Sequence, residues 1–150
     1  MTQDCYACDQ EAQHDELPVR ERVAEDEHWR VAHAFGTTLP GWLVLLPRRH
    51  VMTVADLSVA EAASLGPWQV RLAQALRDTL GGQSVYVVQF GEAPGFHLHF
   101  HVVPRAVGLA PELRGPGIFA LLPPDGVGVL DAAARDEVST RLAAALRESG

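Results

Sequence analysis

The feature that most constrains this chain is a strict alternation of histidine and apolar residues. The segment His97–Val103 reads His-Leu-His-Phe-His-Val-Val and is followed by Pro104. Because successive side chains of a β-strand leave on opposite faces, this order predicts a strand with three histidines on one face and apolar residues on the other. Buried imidazoles need hydrogen-bond partners, so core packing alone does not account for three of them together. The pattern therefore predicts a chemical face, either a catalytic metal site or a nucleophilic site.

The segments around this strand indicate further strands. Short runs that mix apolar and polar residues predict a hairpin, and a compact apolar run that ends at Pro47 predicts a buried strand. A second hairpin pairs the histidine strand with the segment before it, across a turn at 91–95. The predicted strands are Val19–Ala24, Trp29–Phe35, Trp42–Leu46, Ser84–Phe90 and Phe96–Val103.

Two helices are predicted. Ser58 and Glu61 form a capping box, and apolar residues at helical spacing follow as far as Gly81. Pro67 within this helix removes a backbone donor, so we expect a kink there. An amphipathic pattern after Asp131 predicts a terminal helix, and residues 108–128, rich in Pro and Gly, predict a loop. Strands and helices without strict alternation indicate an α+β fold with an antiparallel sheet.

Length and charge argue against several classes of protein. The 150 residues fit a single domain, and the formal net charge of -7 disfavours a general nucleic-acid binder, which needs clustered Lys and Arg. We find neither a signal peptide nor an apolar run of membrane-spanning length, so we expect a cytoplasmic protein with no membrane partner. A phosphate ligand must then be held locally, by Arg48, Arg49 or Arg105 or by backbone N–H groups.

The two cysteines, Cys5 and Cys8, are separated by two residues. In a chain expected to be cytoplasmic, this spacing favours metal binding or redox chemistry over a structural disulfide. A redox pair of the thioredoxin type lies where a strand enters a helix, whereas only four residues precede Cys5. A structural zinc site would need two histidine partners, because Cys2His2 is a common tetrahedral set. Free cysteines are the remaining alternative.

The segment His97–Val103 resembles the signature of the histidine triad (HIT) superfamily, in which three histidines alternate with apolar residues and two apolar residues follow. Pro104-Arg105 extends the likeness, and the resemblance spans roughly Cys5 to Arg105. It implies a HIT-like α+β fold, an antiparallel sheet of about five strands with a long helix and a C-terminal helix packed on it. The core of the single domain, residues 1–150, would be about 5–105, and 106–150 would form a loop and the last helix.

The same resemblance implies a nucleotide hydrolase or transferase with a covalent mechanism. Members form a nucleotidyl intermediate on the middle histidine, here His99, by attack on the α-phosphorus of a dinucleoside polyphosphate or nucleoside phosphoramidate. A neutral imidazole is a competent nucleophile near pH 7. His101 would contact the phosphate oxygens or the leaving group and stabilise charge in the transition state. Members are commonly homodimers, so a second copy and a nucleotide are the expected partners.

One branch of the superfamily carries structural zinc on an N-terminal Cys-x-x-Cys, a histidine in a Pro-x-x-His turn and the first triad histidine. Pro47–His50 matches that turn. The implied ligands of one zinc ion per chain are Cys5, Cys8, His50 and His97. In this interpretation His97 has no catalytic role, and the metal anchors the N-terminus and fixes the register of His99. A catalytic zinc held by the triad itself is the alternative.

Around the pocket the chain departs from the family. Ala34-Phe35-Gly36 replaces a stretch where many members carry an acidic residue for the ribose, and Trp42 replaces a frequent histidine. Two hypotheses follow: an enzyme acting at the α-phosphorus, or a zinc-stabilised HIT-fold nucleotide-binding protein with little or no turnover. The candidates for further substrate contacts before the triad are Gly95, Gln89 and Glu92.

Overall fold

The computed structural model describes residues 5–82, 84–91 and 93–149, and a five-stranded antiparallel sheet lies at its centre. The strands are β1 (Ala24–Glu25), β2 (Trp29–His33), β3 (Leu43–Pro47), β4 (Ser84–Val88) and β5 (Phe100–Arg105). Their order in the sheet is β1-β2-β3-β5-β4, and every neighbouring pair is antiparallel. The predicted α+β fold with an antiparallel sheet is confirmed.

The pairing of β3 with β5 places the main core on one face of the sheet. Leu43 lies opposite Val102 and Leu45 lies opposite Phe100, and all four side chains belong to the main core cluster. Leu98, two residues before Phe100, joins the same cluster and is fully buried. The apolar members of the histidine segment therefore alternate into the core, which leaves its histidines toward the opposite side.

In the described ranges three α-helices accompany the sheet: α1 (Tyr6–Ala12), α2 (Val59–Leu80) and α3 (Ala132–Ser149). The capping box of Ser58 and Glu61 starts α2 as predicted, and the helix continues through Pro67. Residues of α2 and α3, such as Leu72 and Leu142, close the main core. Of the helices in the described ranges, none is both long and apolar enough to cross a membrane.

All five predicted strands differ from the structure at their ends: β2, β3 and β4 differ by one or two residues, and the other two strands differ by more. Val19–Glu21 forms a 3-10 helix rather than a strand, so β1 is reduced to two residues. The histidine strand begins at Phe100 instead of Phe96. The reason is that the Leu98 N–H donates to the Val51 carbonyl at 2.8 Å and so forms no hydrogen bond with a neighbouring strand. At its other end β5 extends through Pro104 rather than stopping before it. The register pairs Val102 with the first residue of β3, so Pro104 lies past that strand.

The Pro- and Gly-rich segment after β5 packs against the second face of the sheet. It contains two 3-10 helices, Pro111–Leu113 and Gly115–Leu121. Ile118 is buried in a second core cluster with Trp42 and Val103. This segment, whose path the sequence does not predict, thus covers the face that carries His101.

Candidate functional site

A cavity of about 360 Å³ opens beside the histidine segment. Its lining comes from the start of α1, from β2 and β3, and from residues 93–97. His97, His99 and His101 all line it, as does Gly95. Gly95 has a φ of 70°, a left-handed conformation that suits glycine and turns the chain just before the first histidine. The predicted chemical face therefore borders an open cavity large enough for a small ligand.

The side chains of Cys5, Cys8, His50 and His97, here called the Cys/His cluster, converge at one edge of this cavity. One possible ligand atom from each lies within 4.8 Å of the others. Nδ1 of His97 is 3.5 Å from the Cys5 Sγ and 3.6 Å from the Cys8 Sγ, and Nδ1 of His50 is 3.1 Å from that same nitrogen. Zinc bonds to sulfur and nitrogen place the ligand atoms of a tetrahedral site roughly 3.3–3.8 Å apart. The four side chains brought together by the fold therefore fit a tetrahedral metal ion in both donor type and spacing.

The ring of His97 is oriented by a backbone carbonyl. Its Nε2 lies 2.8 Å from the oxygen of Pro47, which can only accept, so Nε2 carries the proton. Nδ1 is then the unprotonated nitrogen, and it is the nitrogen that faces the two cysteines. Such a hydrogen bond to the second nitrogen is what orients metal-binding histidines in proteins.

The cysteines are placed by the short helix α1. Cys5 is its N-cap, and its Sγ accepts the backbone N–H of Cys8 at 3.4 Å, so one helical turn brings both sulfurs together. Burial, a hydrogen bond with Cys5 and nearby carboxylates raise the pKa of the Cys8 thiol to about 11. A bound cation would reverse that shift, because metal ligands bind as thiolates.

Arg30 fastens α1 to the sheet, a role that the sequence analysis missed. Its guanidinium donates to the carbonyls of Glu21, at 2.6 Å, and Ala7, at 3.4 Å, and to the Glu11 carboxylate at 3.2 Å. The side chain is 1% exposed although it lies in β2. A charged residue within an otherwise buried strand is the only signal that could have pointed to it.

His99 presents one free nitrogen to the cavity. Its Nδ1 lies 3.0 Å from the backbone oxygen of His97, so Nδ1 carries the proton and Nε2 keeps its lone pair. The ring lies 4.9 Å from that of Phe96 and 4.9 Å from that of His101. The arrangement suits a nucleophile, since the neutral tautomer with an available nitrogen is fixed by the backbone.

His101 is held by aromatic side chains. The indole Nε1–H of Trp42 donates to its Nδ1 at 3.0 Å, and Phe119 meets the ring edge-on at 5.3 Å. Burial, with a smaller contribution from His99, lowers the pKa of His101 to about 4. His101 is therefore neutral near pH 7, and its Nε2 carries the proton. The sequence marks Trp42 only as a departure from the family pattern, and Phe119 carries no recognisable signal.

The three arginines predicted to hold a phosphate are absent from the described cavity lining. Arg48 donates to Glu11 at 2.8 Å and Arg49 to Glu61 at 2.8 Å, and neither belongs to the described residues that line the cavity. Arg105 lies at the end of β5, opposite Ser84. Arg30 does line the cavity, but its guanidinium donates to Glu21, Ala7 and Glu11, so a phosphate here would rely mainly on imidazole and backbone N–H groups.

Gln89 is absent from the described cavity lining, so its contact with a substrate remains a prediction. Glu92, the other candidate in that loop, lies outside the described residues.

Comparisons with known proteins agree with this fold. The HIT domain model matches residues 19–108, and no curated protein sequence matches the chain. A Zn-bound histidine triad family protein from Mycobacterium smegmatis is similar in structure, with 22% identity and a TM-score of 0.71 over 97% of this chain and 95% of that one. A hypothetical histidine triad nucleotide-binding protein from Sulfolobus tokodaii strain7 has 15% identity and a TM-score of 0.72 over 96% and 93%. A Hit-like protein involved in cell-cycle regulation from Bartonella henselae has 20% identity and a TM-score of 0.67 over 90% and 92%.

Proposed function

The chain belongs to the HIT domain family, and we propose that it is a nucleotide hydrolase or transferase acting at the α-phosphorus of a nucleotide conjugate. Membership of the family supports a nucleotide-binding or hydrolase-type function in general. The conjugate we propose is a dinucleoside polyphosphate or a nucleoside phosphoramidate. The observation that carries the proposal is the hydrogen bond between Nδ1 of His99 and the His97 carbonyl, which leaves the Nε2 lone pair for the cavity.

The proposed reaction has two displacements. In the first, Nε2 of His99 attacks the α-phosphorus, and the bond to the leaving group breaks with its electron pair. The Nδ1 proton stays hydrogen-bonded to the His97 carbonyl, so the positive charge that forms on the ring is stabilised. In the second, water or another nucleophile attacks the phosphorus and breaks the P–N bond. Two displacements with lower barriers replace one difficult step.

His101 and the turn before the triad would bind the phosphoryl group. The Nε2–H of His101 is positioned to donate to a phosphoryl oxygen or to the leaving group, where negative charge grows in the transition state. Gly95 allows the backbone to approach a ligand closely, because it has no side chain. We propose these two residues as substrate contacts, together with Gln89.

We further propose that one structural zinc ion binds Cys5, Cys8, His50 and His97. When bound, the ion supplies the charge that keeps both thiolates deprotonated and links α1 to the turn after β3 and to the histidine segment. The donor set and spacing support this assignment. The carbonyl of His97 orients His99, so a fixed His97 also fixes the nucleophile. The homodimer remains a prediction from the family resemblance, and the cytoplasmic location remains a prediction from the sequence.

A second candidate function is nucleotide binding with little or no turnover. It is favoured by the altered pocket wall, where Ala34 and Phe35 line the cavity and supply no carboxylate for a ribose. Phe35 instead packs against Tyr6, with ring centroids 5.0 Å apart. Base stacking on such a pair could give affinity without any catalytic contact.

Trapping the intermediate separates the two functions. The protein is mixed with diadenosine tetraphosphate, quenched within milliseconds to seconds and examined by intact mass and peptide mapping. We expect an adenylyl group on His99, absent from a His99→Asn variant and formed more slowly by a His101→Asn variant. Saturable binding of AMP in calorimetry, with neither turnover nor adduct for diadenosine tetraphosphate or an adenosine phosphoramidate, would establish the binding function instead.

A further inference from the structure

Trp42 determines which nitrogen of His101 carries a proton. An indole N–H can only donate, so the 3.0 Å contact makes Nδ1 of His101 an acceptor. Trp42 has no freedom to turn away, because its side chain is fully buried and its carbonyl accepts the Ala34 N–H at 2.8 Å. Phe119 packs edge-on against both rings, at 5.5 Å from Trp42 and 5.3 Å from His101.

We propose that Trp42 is a positioning residue that locks His101 as a hydrogen-bond donor unable to deliver a proton, which restricts this site to nucleotide conjugates whose leaving group departs as a stable anion. The substrate class is then a nucleotidyl anhydride with phosphate or with a carboxylate, rather than a phosphoramidate. The restriction of substrate rests on the proposed function, whereas the locked tautomer does not.

The restriction follows from how an imidazole transfers protons. A neutral ring gives up its Nε2 proton readily only when Nδ1 is protonated, since the alternative product is an imidazolate anion. In this site Nδ1 of His101 already accepts from Trp42. Burial, which lowers the pKa of His101 to about 4, also disfavours the doubly protonated ring near pH 7. His101 can therefore stabilise charge on a leaving group without neutralising it.

Two other titratable side chains of the described cavity wall, Tyr6 and His33, do not replace the missing acid. The Tyr6 hydroxyl donates to the Glu21 carboxylate, and burial with that hydrogen bond raises its pKa to about 12. His33 uses both nitrogens, one toward the Ala34 carbonyl at 2.8 Å and one accepting the Gly41 N–H at 2.9 Å. Each is therefore already committed within the protein.

The two classes of substrate differ in what happens to the electron pair. When a phosphoanhydride or acyl phosphate reacts with Nε2 of His99, the P–O bond breaks and its electron pair stays on the oxygen of a phosphate or carboxylate, which is stable in water. When a phosphoramidate reacts, the P–N bond breaks and its electron pair stays on nitrogen, which must gain a proton as it leaves. General acid catalysis contributes about 10²–10⁴-fold to such steps, and this site does not supply it.

The tautomer is tested on the ligand-free protein by long-range ¹H–¹⁵N NMR, which distinguishes the protonated from the unprotonated ring nitrogen. We expect His101 in the wild type to be the Nε2–H form at neutral pH, and Trp42→Phe to give a mixture of both tautomers. Phe119→Leu is the matched control, because it removes an aromatic contact with His101 but no hydrogen-bond donor, and should keep the Nε2–H form. An Nδ1–H form of His101 in the wild type overturns the proposal without any variant.

The substrate class is tested with two adenylyl donors that differ only in the leaving group, diadenosine tetraphosphate and the adenosine phosphoramidate of an alkylamine. We expect wild-type kcat/KM to favour the anhydride by about 100-fold or more, and Trp42→His, which replaces an obligate donor with a ring that can also accept a proton from Nδ1 of His101, to narrow that ratio at least about tenfold. Equal kcat/KM for the two substrates, or a ratio unchanged in both Trp42→His and Trp42→Phe, overturns the restriction. Turnover of neither substrate overturns the proposed function and the substrate class together, while the NMR result still decides the role of Trp42.

Discussion

His97, a member of the Cys/His cluster, and the pair His99 and His101 come from one short stretch of chain, yet hydrogen bonds prepare them for opposite tasks. In the cluster, Pro47 takes the Nε2–H of His97, and the free Nδ1 turns toward two thiols and a second imidazole. In the pair, Nδ1 of His99 donates to the His97 carbonyl and Nδ1 of His101 accepts from Trp42. Nε2 of His99 therefore keeps a lone pair, and Nε2 of His101 carries a proton. All three histidines lie in the same alternating segment, His97–Val103. The partner of the second ring nitrogen differs among the three rings, and the roles that we propose rest on it: metal ligand for His97, nucleophile for His99 and hydrogen-bond donor for His101.

The largest effect should come from comparing two variants, one at His99 and one in the Cys/His cluster. His99→Ala removes the proposed nucleophile, so we expect kcat for diadenosine tetraphosphate to fall about 1,000-fold or more with zinc content unchanged. His50→Ala removes a cluster residue that lies outside the described cavity lining, so we expect loss of zinc and a roughly 10-fold fall in kcat. Elemental analysis and steady-state kinetics on both proteins measure the contrast. Equal loss of turnover in the two variants would show that the regions act as one site.

Much of this division follows from the alternation, but the choice of tautomer does not. The alternation predicts that Leu98, Phe100 and Val102 enter the core and that the histidines share the other side, as the structure shows. The partners of the rings lie far away in sequence, with Pro47 50 residues from His97 and Trp42 59 residues from His101. Such pairs depend on the packing of the whole sheet, so no local pattern predicts them.

Local sequence patterns also do not predict where the strands begin and end. The start of β5 depends on Leu98 bonding to Val51 rather than to a neighbouring strand. The strand predicted at Val19–Ala24 has mixed polarity that suits a strand, but the fold needs a turn there that carries Glu21 under Arg30. Propensity is a weak guide where tertiary contacts decide.

Removing the metal should be the next largest effect. A structural ion at about 1,000 times its Kd stabilises a fold by about 4 kcal/mol, and a chain of this size loses about 2–4 °C in Tm per kcal/mol. We therefore expect a chelator to lower the Tm of the wild type by about 10 °C. Cys8→Ser should start near that lower Tm and show no further response to chelator. If the zinc-loaded wild type kept its Tm in the presence of chelator, the proposed structural metal would be wrong.

Arg30→Met tests whether the cluster depends on the protein that supports it. The variant leaves the Glu21 and Ala7 carbonyls and the Glu11 carboxylate without their buried cation, so we expect a loss of about 3 kcal/mol in the free energy of unfolding. Because α1 carries both cysteines, zinc affinity should fall by about tenfold as well.

Arg22→Met is the matched control for that change. Arg22 also donates to a backbone carbonyl, that of His14, but its side chain is 37% exposed, so we expect less than about 1 kcal/mol and unchanged zinc affinity. Urea unfolding and competition with a zinc-sensitive dye provide the two measurements. If Arg30→Met and Arg22→Met had the same free energy of unfolding and the same zinc affinity, the proposed anchoring of α1 by Arg30 would be wrong.

The smallest effect concerns His33, which contrasts with the three histidines of the site because neither of its nitrogens is free. Burial lowers its pKa below the ordinary value of 6.5, so the unfolded chain gains a proton first as the pH falls. The stability due to neutral His33 is therefore complete above about pH 6.5 and is lost progressively below it. In a Cys8→Ser background, where metal release plays no part, the difference in the free energy of unfolding between the protein with His33 and its His33→Gln variant should therefore shrink from pH 7.5 to pH 5. Urea unfolding at both pH values measures the gap, and a gap that stays constant would mean that His33 keeps its ordinary pKa despite burial.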